Sequence, residues 1–431
     1  MNNALGGNVF IYTLIGILVF IPFYAGAETP TAEEMWKVIQ QQQKVIEELK
    51  AKLEQTEHKI AVTETKVGET DKKVETAAEA MEQSNAGTSR ATSWTDKTSI
   101  GGYGELHFNS TDTKNEVDFH RFVIYFGHEF TDSIRLFSEL EVEHALVEED
   151  APGGVELEQA WVEMDLNQNH SMRAGLDIIP VGILNPTHEP PTFFGVERNP
   201  VETEIIPTTW WEAGIGMHGQ IAPGWSYDAV VHSGLQTPVI GDDAFLIPEG
   251  RNEVAEASAK DGAFTGRLRY TGFPGLEAAI TGQYQQDITQ SSFANGMDIS
   301  ATLFESHVVY RHTATGLGVR ALYARWDLDD GPPGLGPKSG SSPGRNEQYG
   351  YYIEPSWIFP VSGVIPGNAG LFARYNYWDN NAGASAKTGK TQLEGGLNYW
   401  PIDNLVFKID AFSQDEAAAD SGWNLGIGYQ F

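Results

Sequence analysis

Trp423-Asn424-Leu425-Gly426-Ile427-Gly428-Tyr429-Gln430-Phe431 closes the sequence, and its residues fall into two sets. Trp423, Leu425, Ile427, Tyr429 and Phe431 alternate with Asn424, Gly426, Gly428 and Gln430. Successive side chains of a β-strand point to opposite faces, so one face here is apolar and aromatic and the other small and polar. With no later segment to cover the apolar face, the pattern predicts a strand that meets lipid.

The same alternation recurs upstream. Ile134, Leu136, Leu140 and Val142 oppose Arg135, Glu139, Glu141 and Glu143; Met172, Ala174, Leu176 and Ile178 oppose Arg173, Gly175 and Asp177; Leu371, Ala373, Tyr375 and Tyr377 oppose Arg374 and Asn376. A soluble sandwich rarely repeats a charged face this often without helices to cover the other face. The expectation is an all-β transmembrane barrel over 99–431, with about sixteen antiparallel strands of about ten residues, the length that crosses a tilted bilayer span.

Connection lengths support an even strand count. Thr131 to Ser133, Asn167 to His170, Ala222 to Gly224, Gly272 to Gly275, His312 to Thr315 and Pro401 to Asn404 read as tight periplasmic turns, with Pro360 to Asn368 a longer exception. The alternate set reads as extracellular loops: Asn109 to Asn115, Leu146 to Gly153, Pro180 to Trp210, Leu235 to Asp261, Gln286 to Asp298, Asp329 to Glu347, Asp379 to Ala386 and Gln414 to Asp420.

Composition fits an envelope protein: 46 Gly, 11% aromatic residues and no Cys. A net charge of -31 excludes nucleic acid as a partner, because neutralising phosphates requires a basic face. It points instead to a surface or lumen that attracts cations.

The apolar run Val9 to Tyr24, followed by Ala25-Gly26-Ala27, reads as an export signal over 1–27, being shorter than the roughly 20 residues of a spanning helix. From 28 to 83 a heptad repeat runs without a slip. Its a positions are Ala32, Ile39, Ile46, Leu53, Ile60, Val67, Val74 and Met81, and its d positions include Met35, Gln42, Leu49, Thr56 and Thr63. This predicts an N-terminal α-helical coiled coil in the periplasm, with a polar-rich seam and a trimer expected. The Ser/Thr-rich stretch 84–98 reads as a linker.

The long third outer loop, Pro180 to Trp210, resembles that of trimeric porins, which implies that it folds inward as a constriction and makes its charged residues and the wall bases the candidate pore residues. The loop carries Glu189, Glu197, Arg198, Glu202 and Glu204; inward bases are expected at Arg121, Arg135, Arg173, Arg267, Arg269, Arg374 and Lys408. Glu139, Glu141, Glu143, Glu156, Glu158 and the run Glu148-Glu149-Asp150 are expected to line or crown the lumen. Acids on the loop facing bases on the wall would set up a transverse field, and such charges, with the diameter, decide pore selectivity.

Two resemblances extend this reading. A terminal strand with Trp423, Tyr429 and Phe431 at alternate positions resembles the assembly signal of bacterial outer-membrane barrels, which implies outer-membrane lipid and the barrel assembly machinery as partners. GLDIIPVGILNP (Gly175 to Pro186) followed by FFGVER (Phe193 to Arg198) is similar to the strand-to-loop region of the phosphate-selective porin O and P family. That resemblance implies a sixteen-stranded homotrimeric porin whose third loop folds inward and, in some members, a periplasmic coiled coil. The charge departs from the family: from Ser99 onward there are 18 Lys plus Arg and 45 Asp plus Glu. Fold and transport class therefore carry over, while phosphate specificity does not.

The leading expectation is a passive, cation-leaning channel for small hydrophilic solutes; the alternative is a phosphate or oxyanion channel using Arg135, Arg173, Arg267 and Arg269. Two further alternatives are a tether from outer membrane to peptidoglycan through the coiled coil, and a barrel that sheathes a redox partner. No H-E-x-x-H or G-x-S-x-G string occurs, so no catalytic, metal or cofactor residues are assigned.

Overall fold

The computed structural model describes residues 94–431, apart from 149–150, 293–296, 341–342, 364 and 416–419, together with Trp36, Gln43 and Lys50. The chain divides into two compact units, Met1–Ala91 and Thr92–Phe431. In the first, Trp36, Gln43 and Lys50 are helical and exposed, seven residues apart, each at the e position of the expected heptad. The expected export signal over 1–27, the other heptad positions of 28–83 and linker residues 84–93 lie outside the described residues. The expected linker ends too late, however. Trp94–Lys97 forms a helical turn of the second unit, with the Trp94 ring 5.9 Å from that of His128.

The second unit is a closed barrel of sixteen antiparallel strands. They are β1 (Thr98–Thr111), β2 (Asn115–Thr131), β3 (Ile134–Glu143), β4 (Gly154–Asp165), β5 (His170–Ile178), β6 (Trp211–Ala222), β7 (Trp225–His232), β8 (Ala263–Tyr270), β9 (Leu276–Gln285), β10 (Ala301–Arg311), β11 (Leu317–Leu328), β12 (Glu347–Val361), β13 (Gly367–Asp379), β14 (Lys390–Ile402), β15 (Leu405–Gln414) and β16 (Gly422–Gln430). Each pairs with its sequence neighbours, and β16 pairs with β1 to close the wall. Gly102 and Phe431 extend that seam by exchanging backbone hydrogen bonds of 3.0 and 2.8 Å.

Short and long connections alternate as expected, with one exception. The first connection, between Thr111 and Asn115, is as tight as the turns at the other end. At the turn before β11, Gly316 has φ +72° and a side chain there would meet the Ile358 carbonyl oxygen at 1.7 Å, so only glycine fits.

The wall is inverted relative to a water-soluble protein. On β3, Leu140 is 43% exposed while Glu139 is 1% exposed. On β16, Trp423, Leu425 and Ile427 face outward, whereas Asn424, Gly426 and Gly428 are buried inside. An apolar exterior around a polar interior is stable only where the surroundings are themselves apolar. A bulge in β4 places Glu158 between the residues paired with Glu139 and Leu140, which shifts the alternation. Leu157 on one side and Val162 on the other thus both face outward, while Glu158 and Glu163 are buried inside.

Not all of the inner face is polar. Leu303, Leu322, Trp326 and Tyr352 point inward and are buried by Ile179, Ile205, Trp210, Phe245 and Ile288 from loop 3 (179–210), loop 4 (233–262) and loop 5 (286–300). These loops fold into the barrel and fill the side next to β10–β13 with an apolar core. The alternation rule expects lumen residues to be polar only where water reaches them, and here it does not.

Candidate functional site

Loop 3 is fastened first to itself. Asn185 donates to the carbonyls of Ile179 (2.8 Å) and Trp210 (3.2 Å) and accepts the Trp210 N–H (2.6 Å), tying the two ends of the loop together. Glu202 accepts the N–H groups of Ile183 (2.9 Å) and Leu184 (2.6 Å) and the Tyr352 hydroxyl (2.7 Å). Expected among the constriction acids, Glu202 is instead 2% exposed and serves as the internal staple of the loop. Burying a carboxylate is tolerable only when such donors satisfy it.

The tip of loop 3 is then fastened to the far wall. Trp400 donates to the Pro191 carbonyl (3.1 Å), Asn398 to Phe193 (3.0 Å), Arg374 to Phe194 (2.7 Å) and Arg121 to His188 (3.0 Å). In the opposite direction, the Val196 N–H donates to Asp410 (2.6 Å). Phe194 stacks on Phe372 at 5.2 Å, and the Lys408 ammonium sits 3.5 Å from the centre of the Phe193 ring. Gly428 leaves the room: a Cβ there would lie 2.3 Å from Cβ of Pro190.

Apart from Lys408, whose buried ammonium has no hydrogen-bond partner, the expected wall bases do not stand alone opposite loop acids. Arg121 pairs with Glu105 (2.6 Å), Arg173 with Glu163 (2.9 Å) and Asp177 (3.0 Å), Arg267 with Asp228 (2.8 Å), and Arg374 with Glu354 (2.8 Å) and Glu394 (3.1 Å). Arg135 bonds both Glu163 and Asp165, and Arg269 lies 3.8 Å from Glu277. Strand register is the cause. Glu105 and Arg121, Arg135 and Glu163, Glu163 and Arg173, Asp228 and Arg267, and Arg374 and Glu394 are directly opposed across neighbouring strands. The expected transverse field is therefore replaced on the wall by local ion pairs, and Arg121 and Arg374 also hold the loop backbone.

Two adjoining cavities mark a candidate passage between loop 3 and the wall of β1–β4 and β14–β16. Its outer part is a cavity of about 430 Å³ lined by His107, Asn109, Lys114, Asp118, His120, His144, Glu197, Arg198 and Glu394, among others. Its inner part, about 200 Å³, is lined by Glu105, Arg121, Glu141, Glu143, Glu156, Glu158, Glu197, Arg198 and Arg251, among others. His107, His120, Glu197 and Arg198 line both cavities and so stand at the neck. Loop 3 thus brings Glu197 and Arg198 to the passage, whereas Glu189 is half-buried and lines neither cavity and Glu204 is exposed and lines neither. A larger hollow of about 680 Å³ lies away from this neck, on the β8–β12 flank beside Ile280, Val308 and Tyr351.

Histidines at the neck were not singled out by the sequence. The rings of His107 and His120 stack at 4.7 Å, His120 meets His144 edge-on at 6.0 Å, and Asp118 bonds His144 (2.7 Å) and His120 (3.3 Å). Inward parity on β1 and β2 was the signal that could have found His107 and His120. Glu197 accepts from Asn109 (2.8 Å) and contacts His107 Nδ1 at 2.9 Å. Its position inside the barrel opposes ionisation, but the His107 hydrogen bond, the His107 and His120 charges and the Asn109 amide outweigh this and hold it at about 2. Although protein surrounds it, 46% of the side chain still touches lumen water, and that exposure limits the strength of the pairing. Burial, helped by the Arg121 charge, draws Arg198 down to about 10, so it remains cationic at neutral pH.

Among solved structures, the barrel is similar to OmpF of Salmonella typhi, determined in complex with daunomycin, with TM-score 0.53 and 14% identity over 78% of this chain and 97% of that one. It is also similar to the anion-selective porin from Comamonas acidovorans, with TM-score 0.52, 12% identity and coverage of 78% and 99%. The trimer form of OmpT from Vibrio cholerae gives TM-score 0.51 and 13% identity, again over 78% and 99%. These likenesses establish the fold class, the sixteen-stranded porin-type barrel. No family model matches the chain. An uncharacterized protein of Aquifex aeolicus is 39% identical over 178 residues, 40% of this chain and 40% of that protein, so the match spans well under two thirds of the relative.

Proposed function

We propose that the protein is an outer-membrane porin, a passive diffusion channel for small hydrophilic solutes and ions that favours cations. The observation that carries this reading is the charge of the inner passage: the six carboxyl side chains of Glu105, Glu141, Glu143, Glu156, Glu158 and Glu197 outnumber the guanidinium groups of Arg121, Arg198 and Arg251 and the imidazoles of His107 and His120. Charged rings at a narrowing set the sign of the preferred ion. Reversal potentials of single channels in a KCl gradient test it: the potential should take the sign of potassium preference, and clear chloride preference would overturn it.

The oxyanion alternative draws on the family resemblance and on Arg135, Arg173, Arg267 and Arg269. Against it, each of these guanidiniums already faces a carboxylate, leaving its charge largely spent. Block of chloride current by phosphate would favour it over the first reading.

The outer membrane is the proposed location, with the long loops outside and the short turns in the periplasm. The apolar outer wall would contact lipid, and the strand bearing Trp423, Tyr429 and Phe431 would engage the assembly machinery. A homotrimer is proposed on the porin-type fold, and peptidoglycan contact through the coiled coil on the heptad repeat alone.

A further inference from the structure

Where loop 3 crosses β3 and β4, three acceptor-rich side chains converge without satisfying one another. Glu139, Glu158 and His188 are 1%, 1% and 3% exposed, and one potential ligand atom from each lies within 4.8 Å of the others. His188 Nε2 is 3.7 Å from Glu139 Oε1 and 3.7 Å from Glu158 Oε2, beyond hydrogen-bond reach. His188 Nε2, Glu139 Oε1 and both Glu158 oxygens have no hydrogen-bond partner, and neither does the nearby buried Tyr103 hydroxyl, whose ring meets His188 edge-on at 5.9 Å. Buried polar atoms left in this state are costly, and four around one point indicate a missing common partner.

The supporting contacts prepare the site for a cation. His188 Nδ1 is 2.9 Å from the Asn185 carbonyl, to which it can only donate, so it is Nε2 that faces the carboxylates and that supplies the lone pair once the ring is neutral, as metal ligation requires. Gln159 donates to the other Glu139 oxygen and orients that carboxylate. This arrangement, in which each ligand is fixed by a second hydrogen bond, is the one seen around protein-bound metals. The β4 bulge is what turns Glu158 into the cluster, and Glu158 also lines the inner cavity, which gives an ion a route in.

We propose that Glu139, Glu158 and His188 bind a divalent first-row transition cation of the zinc or cobalt type, which clamps loop 3 to the β3–β4 wall. One imidazole nitrogen with carboxylate oxygens suits such ions. Bonds of about 2.1 Å in a tetrahedral set put ligand atoms about 3.4 Å apart, so the two 3.7 Å separations from His188 close with shifts of a few tenths of an ångström, while the two carboxylates, within 4.8 Å of each other, draw together around the ion. The ion would complete its coordination with water from the cavity.

The full chain, refolded in detergent and stripped with chelator, is titrated with Zn²⁺ by calorimetry, and with Co²⁺ while its visible absorption is followed. One ion per chain is expected, with a Co²⁺ spectrum that shows nitrogen and oxygen ligation. His188→Asn, Glu139→Gln and Glu158→Gln should each weaken binding at least about tenfold, the loss already typical when a ligand's supporting group is removed. Glu143→Gln, in the same lumen but outside the cluster, should leave it unchanged. Heat-modifiable mobility on gels confirms that each variant has formed its barrel. Absence of stoichiometric binding, or binding that survives all three ligand substitutions, overturns the proposal.

Discussion

Asp410 on β15 accepts the backbone N–H of Val196 at 2.6 Å, joining the tip of loop 3 to a strand 214 residues later in the sequence. Its other oxygen takes the Asn424 amide at 2.8 Å, so one carboxylate fixes both the loop and the neighbouring strand. Hydrogen bonds to charged groups contribute about 1.5–3 kcal/mol each. Asp410→Ala should therefore loosen the loop while leaving the barrel closed. Noisier and larger single-channel currents are expected, together with faster tryptic cleavage after Arg198; unchanged currents and cleavage would refute the anchoring role.

Gly428 tests the same contact from the packing side. Any Cβ there would stand 2.3 Å from Pro190, and both partners are backbone-fixed. Gly428→Val should push the loop tip off the wall without disturbing the outward face of β16. Channel conductance should rise, while the heat resistance of the barrel on gels changes little.

Charge at the inner passage can be reduced without touching the ion-paired groups. Glu143 and Glu156 line it and stand near the β3–β4 rim, half-buried and without an arginine partner among the described residues. The double variant Glu143→Gln/Glu156→Gln should move the reversal potential toward zero, lowering cation preference by a few-fold. A reversal potential identical to the parent protein's would show that ions take another path.

Acidification should act on the neck. Glu197 titrates at about 2, below the ordinary 4.5, and it faces His107 and Asn109 from β1, His120 from β2, Glu394 from β14, and Lys114. Its contribution to holding loop 3 is complete above about pH 4.5 and is lost as pH falls through 2. Current noise from loop motion should therefore grow between those limits, and in Glu197→Gln the added noise should be present at neutral pH with no further rise on acidification.

The outer wall carries its own test. Leu140 points outward from the middle of β3. A basic side chain facing the bilayer midplane costs about 2–4 kcal/mol. Leu140→Arg should lower the unfolding free energy obtained from urea titration by that amount, whereas a change to Ala should cost less than half as much.

Strand positions were legible because each face of the wall meets one solvent, which writes a period of two into the sequence. Leu136, Leu140, Arg135 and Glu139 sort correctly from that period alone, and the limits expected for loop 3 differ from the observed ones by a single residue. Register was not legible. That Arg173 faces Glu163 and Arg374 faces Glu394 depends on how far one strand slides along the next, and the turns alone do not fix it. The inward apolar residues of β10–β12 defied the period because loops, not water, cover them. Glu202 looked like a pore acid only because nothing in its neighbourhood of sequence reveals the backbone amides of Ile183 and Leu184 wrapped around it.

The seam between β1 and β16 has a kinetic consequence. Every other strand pairs with a neighbour in sequence, across connections no longer than loop 3, whereas the seam brings Tyr103 to Gln430 and closes the whole barrel sequence. Contacts this distant in sequence are slow to form. An open, curved sheet with two unpaired edges should therefore be the longest-lived folding intermediate, and loop 3, whose anchors lie on both sides of the seam at Arg121 and Asp410, can settle only once that sheet has closed.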